Sequence, residues 1–266
     1  AGAKLLSAVA VSPKSEGLFQ QIIAESGSVQ CVRDVTTAKN ERALILKQLG
    51  LKPTDAAKLL IMSADSLMRA QAKVCEGIAG NSFFGPVYDG IVITEDAYKY
   101  AAGAGMPRIK ALIGTNKTEA HSFVGEQAWK DQPDKTILKP LFRDNEPQVN
   151  RTYQAQLKTD SPYAAAVKVV TQYMYQMHSY RFAKALAANN IPVYMYRFDF
   201  DNGKKYGASH GNELAYLWDT KKIVATGGDK AQLAARMHAA WVAFIKTGNP
   251  NASGLPVWPL YKNDSR

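Results

Sequence analysis

Short β-branched runs alternate along this chain with longer stretches whose apolar residues recur at three- and four-residue spacing. Leu18 to Ser26 (LFQQIIAES) runs into Ser26-Gly27-Ser28 and predicts a strand feeding a loop. Thr37 to Leu49 carries Ala43, Leu44, Leu46 and Leu49, a helical stripe stopped by Gly50. Thr54-Asp55 opens another predicted helix, and Ser63 to Ala72 a third, with Ser63 and Asp65 as alternative N-caps. Ile109 to Thr115 (IKALIGT) has the shape of a buried parallel strand. Ser161 to Asn190 reads as one long helix ending at Asn189-Asn190. Ile191 to Phe200 sets Val193, Met195 and Arg197 against Tyr194, Tyr196 and Phe198, a strand period. Gln232 to Thr247 is an amphipathic helix closed by Gly248-Asn249-Pro250. Strands separated by long helical segments predict an α/β sheet with helices on its faces.

Composition narrows the class. The 266 residues are 46% hydrophobic with only 19 Gly and 12 Pro, which excludes a disordered chain. No apolar run approaches the roughly 20 residues of a membrane span. The opening AGAKLLSAVAVSP has no basic segment ahead of its apolar stretch, so no signal peptide is expected within it. The net charge of +10 fits nucleic acid, an anionic surface or an acidic substrate. Basic residues are scattered and never run beyond two in succession, the pattern of a solvated surface, and no nucleic-acid partner is expected. Cys31 and Cys75 fit two buried thiols or one bridge, and are too few for a disulfide framework or a metal site.

Candidate chemistry starts from four histidines. His121, His178 and His238 sit in patterns that read as core or surface. His210 differs, because Gly207-Ala208-Ser209-His210-Gly211-Asn212-Glu213 is a small-residue loop after the strongest strand, a common setting for reactive groups. A serine-hydrolase elbow needs Gly-x-Ser-x-Gly, whose glycines make room around the nucleophile, and none occurs here. Ser26 imitates part of it but lacks both glycines. Ala1-Gly2-Ala3 followed by an apolar helix is what would follow the serine of Gly-x-Ser-Ala-Gly, with Gly2 expected to allow close packing of helix on strand.

These segments, taken in order, resemble the C-terminal half of a type-B carboxylesterase, the family of cholinesterases and bacterial para-nitrobenzyl esterases. The resemblance runs through Ala1-Gly2-Ala3, SPKSEGLFQQIIAESGS (Ser12 to Ser28), FFGPVYDG (Phe83 to Gly90) and IGTNKTEAHSF (Ile113 to Phe123). It continues through PVYMYRFDF (Pro192 to Phe200), GASHGNELAYLW (Gly207 to Trp218), WVAFIKTGNPN (Trp241 to Asn251) and VWPLY (Val257 to Tyr261). It implies an α/β-hydrolase fold of which residues 1–266 are the C-terminal portion of one domain. It also implies a triad acid at Glu119, a triad histidine at His210, and an oxyanion-hole amide at Ala1. The nucleophilic serine would stand immediately before Ala1, in a companion N-terminal segment that also carries a glycine-rich loop. Ser26 and Glu213 are implied as supports behind the site, Glu213 either capping the next helix or holding its loop.

The chain departs from the family at Ala120, where a glycine is usual, so the turn after Glu119 is expected to differ slightly. It also lacks the cysteines that animal members place in the stretch matching Leu46 to Ile61, which leans toward a bacterial enzyme. The resemblance implies a serine carboxylic-ester hydrolase acting on a small-molecule ester, with no cofactor and no metal. The rival reading is a catalytically inactive cholinesterase-like domain used for partner binding or adhesion. A free-standing 266-residue domain is the poorest reading, since it would lack strands flanking Ile109 to Thr115. Phe123, Tyr206, Tyr216 and Trp218 are aromatics expected near the site.

Overall fold

A computed structural model describes residues 2–77, 80, 83–122, 133–201, 203, 207–218, 223 and 225–262. Its centre is a three-stranded parallel sheet of β1 (Gln21–Glu25), β2 (Lys110–Asn116) and β3 (Val193–Phe198), in that order. The register pairs Gln21 with Lys110 and Glu25 with Gly114 on one side of β2, and Ala111 with Val193 and Asn116 with Phe198 on the other. Ile109 to Thr115 is thus flanked on both sides by strands of this chain, contrary to the sequence expectation. The flanking strands come from segments far apart in sequence, which a local reading cannot pair.

Period two distributes side chains to the two faces. Ile22, Ala24, Ala111, Ile113 and Val193 join one core cluster, in which Phe182, Ala183 and Leu186 of the helix Met177–Ala188 also lie. Leu112 and Tyr194 join another with Ala240, Trp241 and Phe244 of the helix Gly228–Thr247. Both faces of β2 are covered, which explains why it reads as a continuous apolar run rather than an alternation.

The helices of the first half are α1 (Gly2–Ala10), α2 (Val35–Gln48), α3 (Ala64–Val74) and α4 (Ala97–Ala102). After β2 come α5 (Lys139–Phe142), α6 (Glu146–Gln156), α7 (Pro162–Thr171) and α8 (Met177–Ala188), and after β3 come α9 (Leu214–Leu217) and α10 (Gly228–Thr247). Caps follow the chemistry of the sequence. Asp34 accepts from the Thr37 amide, Ser63 from Ser66 and Ser161 from Ala164, and Gly248 ends α10 in the left-handed region.

Two helical expectations change. Residues Pro53–Ile61 form a 3-10 helix rather than an α-helix. None of them is buried and Leu60 and Ile61 are exposed, so no packed face among the described residues rewards the α-helical pitch. The long helix over Ser161 to Asn190 is interrupted by a π-helical turn, Gln172–Gln176. The extra residue in that turn separates two burial faces. Val167, Val169 and Val170 before it pack with Ile137, Leu138 and Val149 in a satellite core, whereas Phe182 and Leu186 after it pack on the sheet.

Gly2 also differs from expectation, because a Cβ there would meet nothing among the described residues. The close approach is made instead at Gly27, in the turn after β1, where a Cβ would come 2.8 Å from Lys4 Cγ and 3.3 Å from the Lys4 amide nitrogen. Glycine is therefore needed on the turn for α1 to lie against it.

Candidate active site

Ser26, Glu119, His210 and Glu213 gather beyond the carboxyl ends of the parallel strands, where α/β sheets usually bind ligands. Glu25 ends β1 and Asn116 ends β2, and the loop after β3 carries His210. Glu119 follows β2 by three residues, at the start of a 3-10 turn (Glu119–Ser122).

Glu119 is fully buried. One carboxylate oxygen accepts the Asn116 backbone N–H at 2.7 Å, and the other lies 2.8 Å from His210 Nδ1. The backbone repeats the join, since the His210 amide donates to the Glu119 carbonyl at 3.3 Å and the Thr118 amide to Ala208 O at 3.1 Å. The His210 side chain keeps 31% of its surface accessible. With Nδ1 on the buried carboxylate, Nε2 is the ring's other nitrogen, and its protonation follows from the Nδ1 bond. Tyr175, in the π-helical turn, packs its ring 5.2 Å from the His210 ring, centroid to centroid.

Asn116 is the hub that the sequence did not mark as functional. Its side-chain NH2 donates to Ser209 O at 2.7 Å and also to Glu213 Oε2, tying the His210 loop to the end of β2. Glu213 stands at the N-cap position of α9 but makes no side-chain cap, and its carboxylate instead accepts from the Asn116 side chain. Burial raises the Glu213 pKa, against the Asn116 hydrogen bond that lowers it. Burial likewise raises that of Glu25, which accepts from Trp241 Nε1 at 2.7 Å. Ser26 sits at φ 57°, a strained conformation for a serine, with its amide donating to Gly114 O at 2.9 Å. Its hydroxyl is buried without a hydrogen-bond partner among the described residues.

Ala120 tolerates its place because the 3-10 turn keeps it out of the positive-φ region that would favour glycine. It is fully buried, and its amide donates to Thr171 Oγ1 at 3.2 Å. Ala1, expected at the oxyanion hole, lies outside the described residues, as do Phe123 and Tyr206. Tyr216 is buried against Phe198 and Phe200, and Trp218 is exposed, so the ring set against the imidazole is Tyr175 rather than either of them. The other histidines bond elsewhere. His121 Nδ1 lies 2.8 Å from Tyr163 OH, His178 Nδ1 2.7 Å from Tyr98 OH, and His238 Nδ1 2.8 Å from Leu217 O. Cys31 and Cys75 are both free thiols. No cluster of three metal-ligating side chains occurs among the described residues, and no helix among them is long and apolar enough to cross a membrane.

A parallel sheet covered on both faces is the α/β-hydrolase architecture, and solved structures bear this fold out. A crystal structure of the carboxylesterase EST55 of Geobacillus stearothermophilus superposes with a TM-score of 0.80 at 28% identity, covering 99% of this chain and 57% of that one. A PNB esterase structure gives 0.81 at 27% identity, covering 98% and 55%. The fold is that of the α/β-hydrolases. Residues 1–266 match the model of the carboxylesterase family throughout, and the chain belongs to that family. Among curated relatives, the para-nitrobenzyl esterase of Bacillus subtilis (strain 168) is 28% identical over all of this chain and 55% of its own length. The fumonisin B1 esterase of Sphingopyxis macrogoltabida is 27% identical over 98% of this chain and 50% of its own. The chain spans about half the length of the curated relatives it matches.

Proposed function

We propose that this chain is the C-terminal portion of a single α/β-hydrolase domain and supplies two groups of a Ser-Glu-His triad to a carboxylic-ester hydrolase. The observation that carries the reading is the fully buried Glu119 carboxylate on Nδ1 of a histidine that stays partly open. Membership of the carboxylesterase family supports it.

In this reading a serine immediately before Ala1, in a companion N-terminal segment, attacks the ester carbonyl. His210 Nε2 takes the hydroxyl proton as the new C–O bond forms, and Glu119 holds the tautomer and stabilises the imidazolium. The Ala1 amide donates to the oxyanion, an interaction worth about 3 to 4 kcal/mol in comparable sites. Collapse of the tetrahedral intermediate breaks the bond to the alcohol, which leaves with the proton returned by His210. Water then attacks the acyl-enzyme, giving its proton to His210, and the acid is released as the serine is re-protonated. No step requires a metal or an organic cofactor. The small-molecule esters that the named relatives act on support the choice of substrate class.

The test is hydrolysis of p-nitrophenyl butyrate by the protein carrying its companion segment. An active enzyme should lose roughly a thousandfold or more on His210→Asn. It should also be labelled by a phosphonate at the serine preceding Ala1. Activity untouched by His210→Asn sinks the triad, and a folded protein without ester turnover or label would point to the inactive, partner-binding reading.

A further inference from the structure

A cavity of about 770 Å³ opens beside α1, and its charge is lopsided. Lys4, Arg33, Arg143 and Arg181 line it against two carboxylates, Glu41 and Asp144. Glu41 is already bound to Arg33 at 2.9 Å. The two cations nearest the site make no ion pair among the described residues. The Lys4 ammonium lies 5.3 Å from the Tyr175 ring centroid, and the Arg181 guanidinium 4.2 Å from that of Tyr98. The Lys4 pKa is lowered, chiefly by burial. It stands in the first turn of α1, where the helix dipole adds to the cost of a positive charge. Lys4 and Arg181 line the same cavity together with the half-buried His178, whose Nδ1 lies 2.7 Å from the hydroxyl of Tyr98, the ring against which Arg181 stacks.

The position of Lys4 links this cavity to the candidate chemistry. It follows by three residues the alanine whose amide is proposed for the oxyanion hole. The ring beneath its ammonium is Tyr175, which also packs against the imidazole of His210. A group bound at Lys4 is therefore two ring contacts from the base.

We propose that this cavity is an anion subsite and that the substrate is an ester carrying a free carboxylate, which Lys4 and Arg181 receive while the ester carbonyl reaches His210. The inference deepens the hydrolase reading and rests on it. The half-buried Lys4 ammonium costs desolvation that its ring contact offsets only in part, and a carboxylate held there within reach of the exposed Arg181 supplies the missing charge. A neutral ester leaves the cost in place. Discrimination then comes from the cavity, because a site holding unpaired cations penalises a substrate that lacks the matching group. The carboxylate can sit on the acyl or on the alcohol side, and the two sources separate by assay.

The experiment uses the protein with its companion segment and two matched pairs: mono-p-nitrophenyl adipate against p-nitrophenyl hexanoate, and O-acetyl γ-hydroxybutyrate against butyl acetate. The anionic member of at least one pair should show a kcat/KM about tenfold or more above its neutral partner, and Lys4→Met should bring that ratio to one or below. The pair that responds tells which side of the ester carries the anion. Should Lys4→Met fail to fold by near-UV circular dichroism, Arg181→Gln is read in the same way. Adipate alone should raise the Tm of the His210→Asn protein, and not that of His210→Asn combined with Lys4→Met. A ratio unchanged by both cation variants overturns the subsite, as does adipate without effect on Tm, the result expected if a carboxylate of the companion segment fills the cavity. Loss of all ester turnover with adipate binding retained would count against the hydrolase and leave the anion site standing.

Discussion

Glu119→Gln changes one atom's chemistry and almost no volume, so its effect reports on the charge and the hydrogen-bond polarity at His210. The glutamine must still satisfy the Asn116 N–H, which reaches Oε1 at 2.7 Å in a site with no solvent access. The amide oxygen takes that place, because the opposite orientation would set two donors against each other and cost about 1 to 3 kcal/mol. The NH2 then faces His210 Nδ1, where a carboxylate oxygen now lies at 2.8 Å. It can only donate, so the ring moves its proton to Nε2 and can no longer accept one from a serine. The counter-charge to the imidazolium goes as well. By analogy with the same change in other triads, kcat should fall roughly a thousand- to ten-thousand-fold, about 4 to 5.5 kcal/mol in the barrier. Initial rates on p-nitrophenyl butyrate from neutral to alkaline pH give kcat and KM separately. A loss below tenfold, or one confined to KM, would refute the assignment of Glu119 as the orienting acid.

Asn116→Ala removes both donors that tie the His210 loop to β2 and leaves the Glu213 carboxylate buried without its bond. It should cost about 2 to 4 kcal/mol, read from the urea midpoint, and lower kcat in parallel. A midpoint equal to the wild type would show the hub to be dispensable. Gly114→Ala drives a methyl into the Tyr196 ring lying over β2, and should cost about 3 kcal/mol or prevent soluble expression. The ring cannot be displaced without opening the core that it shares with Trp241 and Trp258. The imidazole of His178 is held down to about 4, first by burial and then by Arg181 and Lys4. The unfolded chain, near 6.5, therefore binds the proton more readily than the folded one. Stability from this group is whole above the unfolded value and drains as pH falls from 6.5 through 4, by roughly 3 kcal/mol in total. His178→Gln should flatten that part of the urea-stability profile, and an unchanged slope would dismiss the group.

The parts of the fold that were legible in the sequence are those whose signal is local. The apolar run before Gly114 declares a strand buried on both faces, and Gly248 declares the end of α10. His210 drew notice because small residues surround it. Glu119 has no such signature, being one acidic residue in a polar turn, and only the order of family segments singled it out. Asn116 was missed although it ends the best buried strand, since one amide serving two distant loops leaves no trace in either. Lys4 was missed for a similar reason. A lone lysine in an apolar helix reads as a surface residue that covers apolar neighbours with its stem, and the cavity that gives it meaning is assembled from segments far away. The π-helical turn is invisible to periodicity, because the apolar spacing on either side of it is helical.

That turn fixes the length of the chain between two faces. A residue removed from Gln172–Gln176 would restore the ordinary pitch and rotate everything after it by about 100° relative to α7. Phe182 and Leu186 would swing away from the sheet, and Tyr175 would leave both His210 and the ammonium of Lys4. Surface loops drift in length among descendants of one ancestor because nothing counts their residues. Here the interior counts them, and a single-codon deletion would act on the core and on the ring packed against His210 in one event.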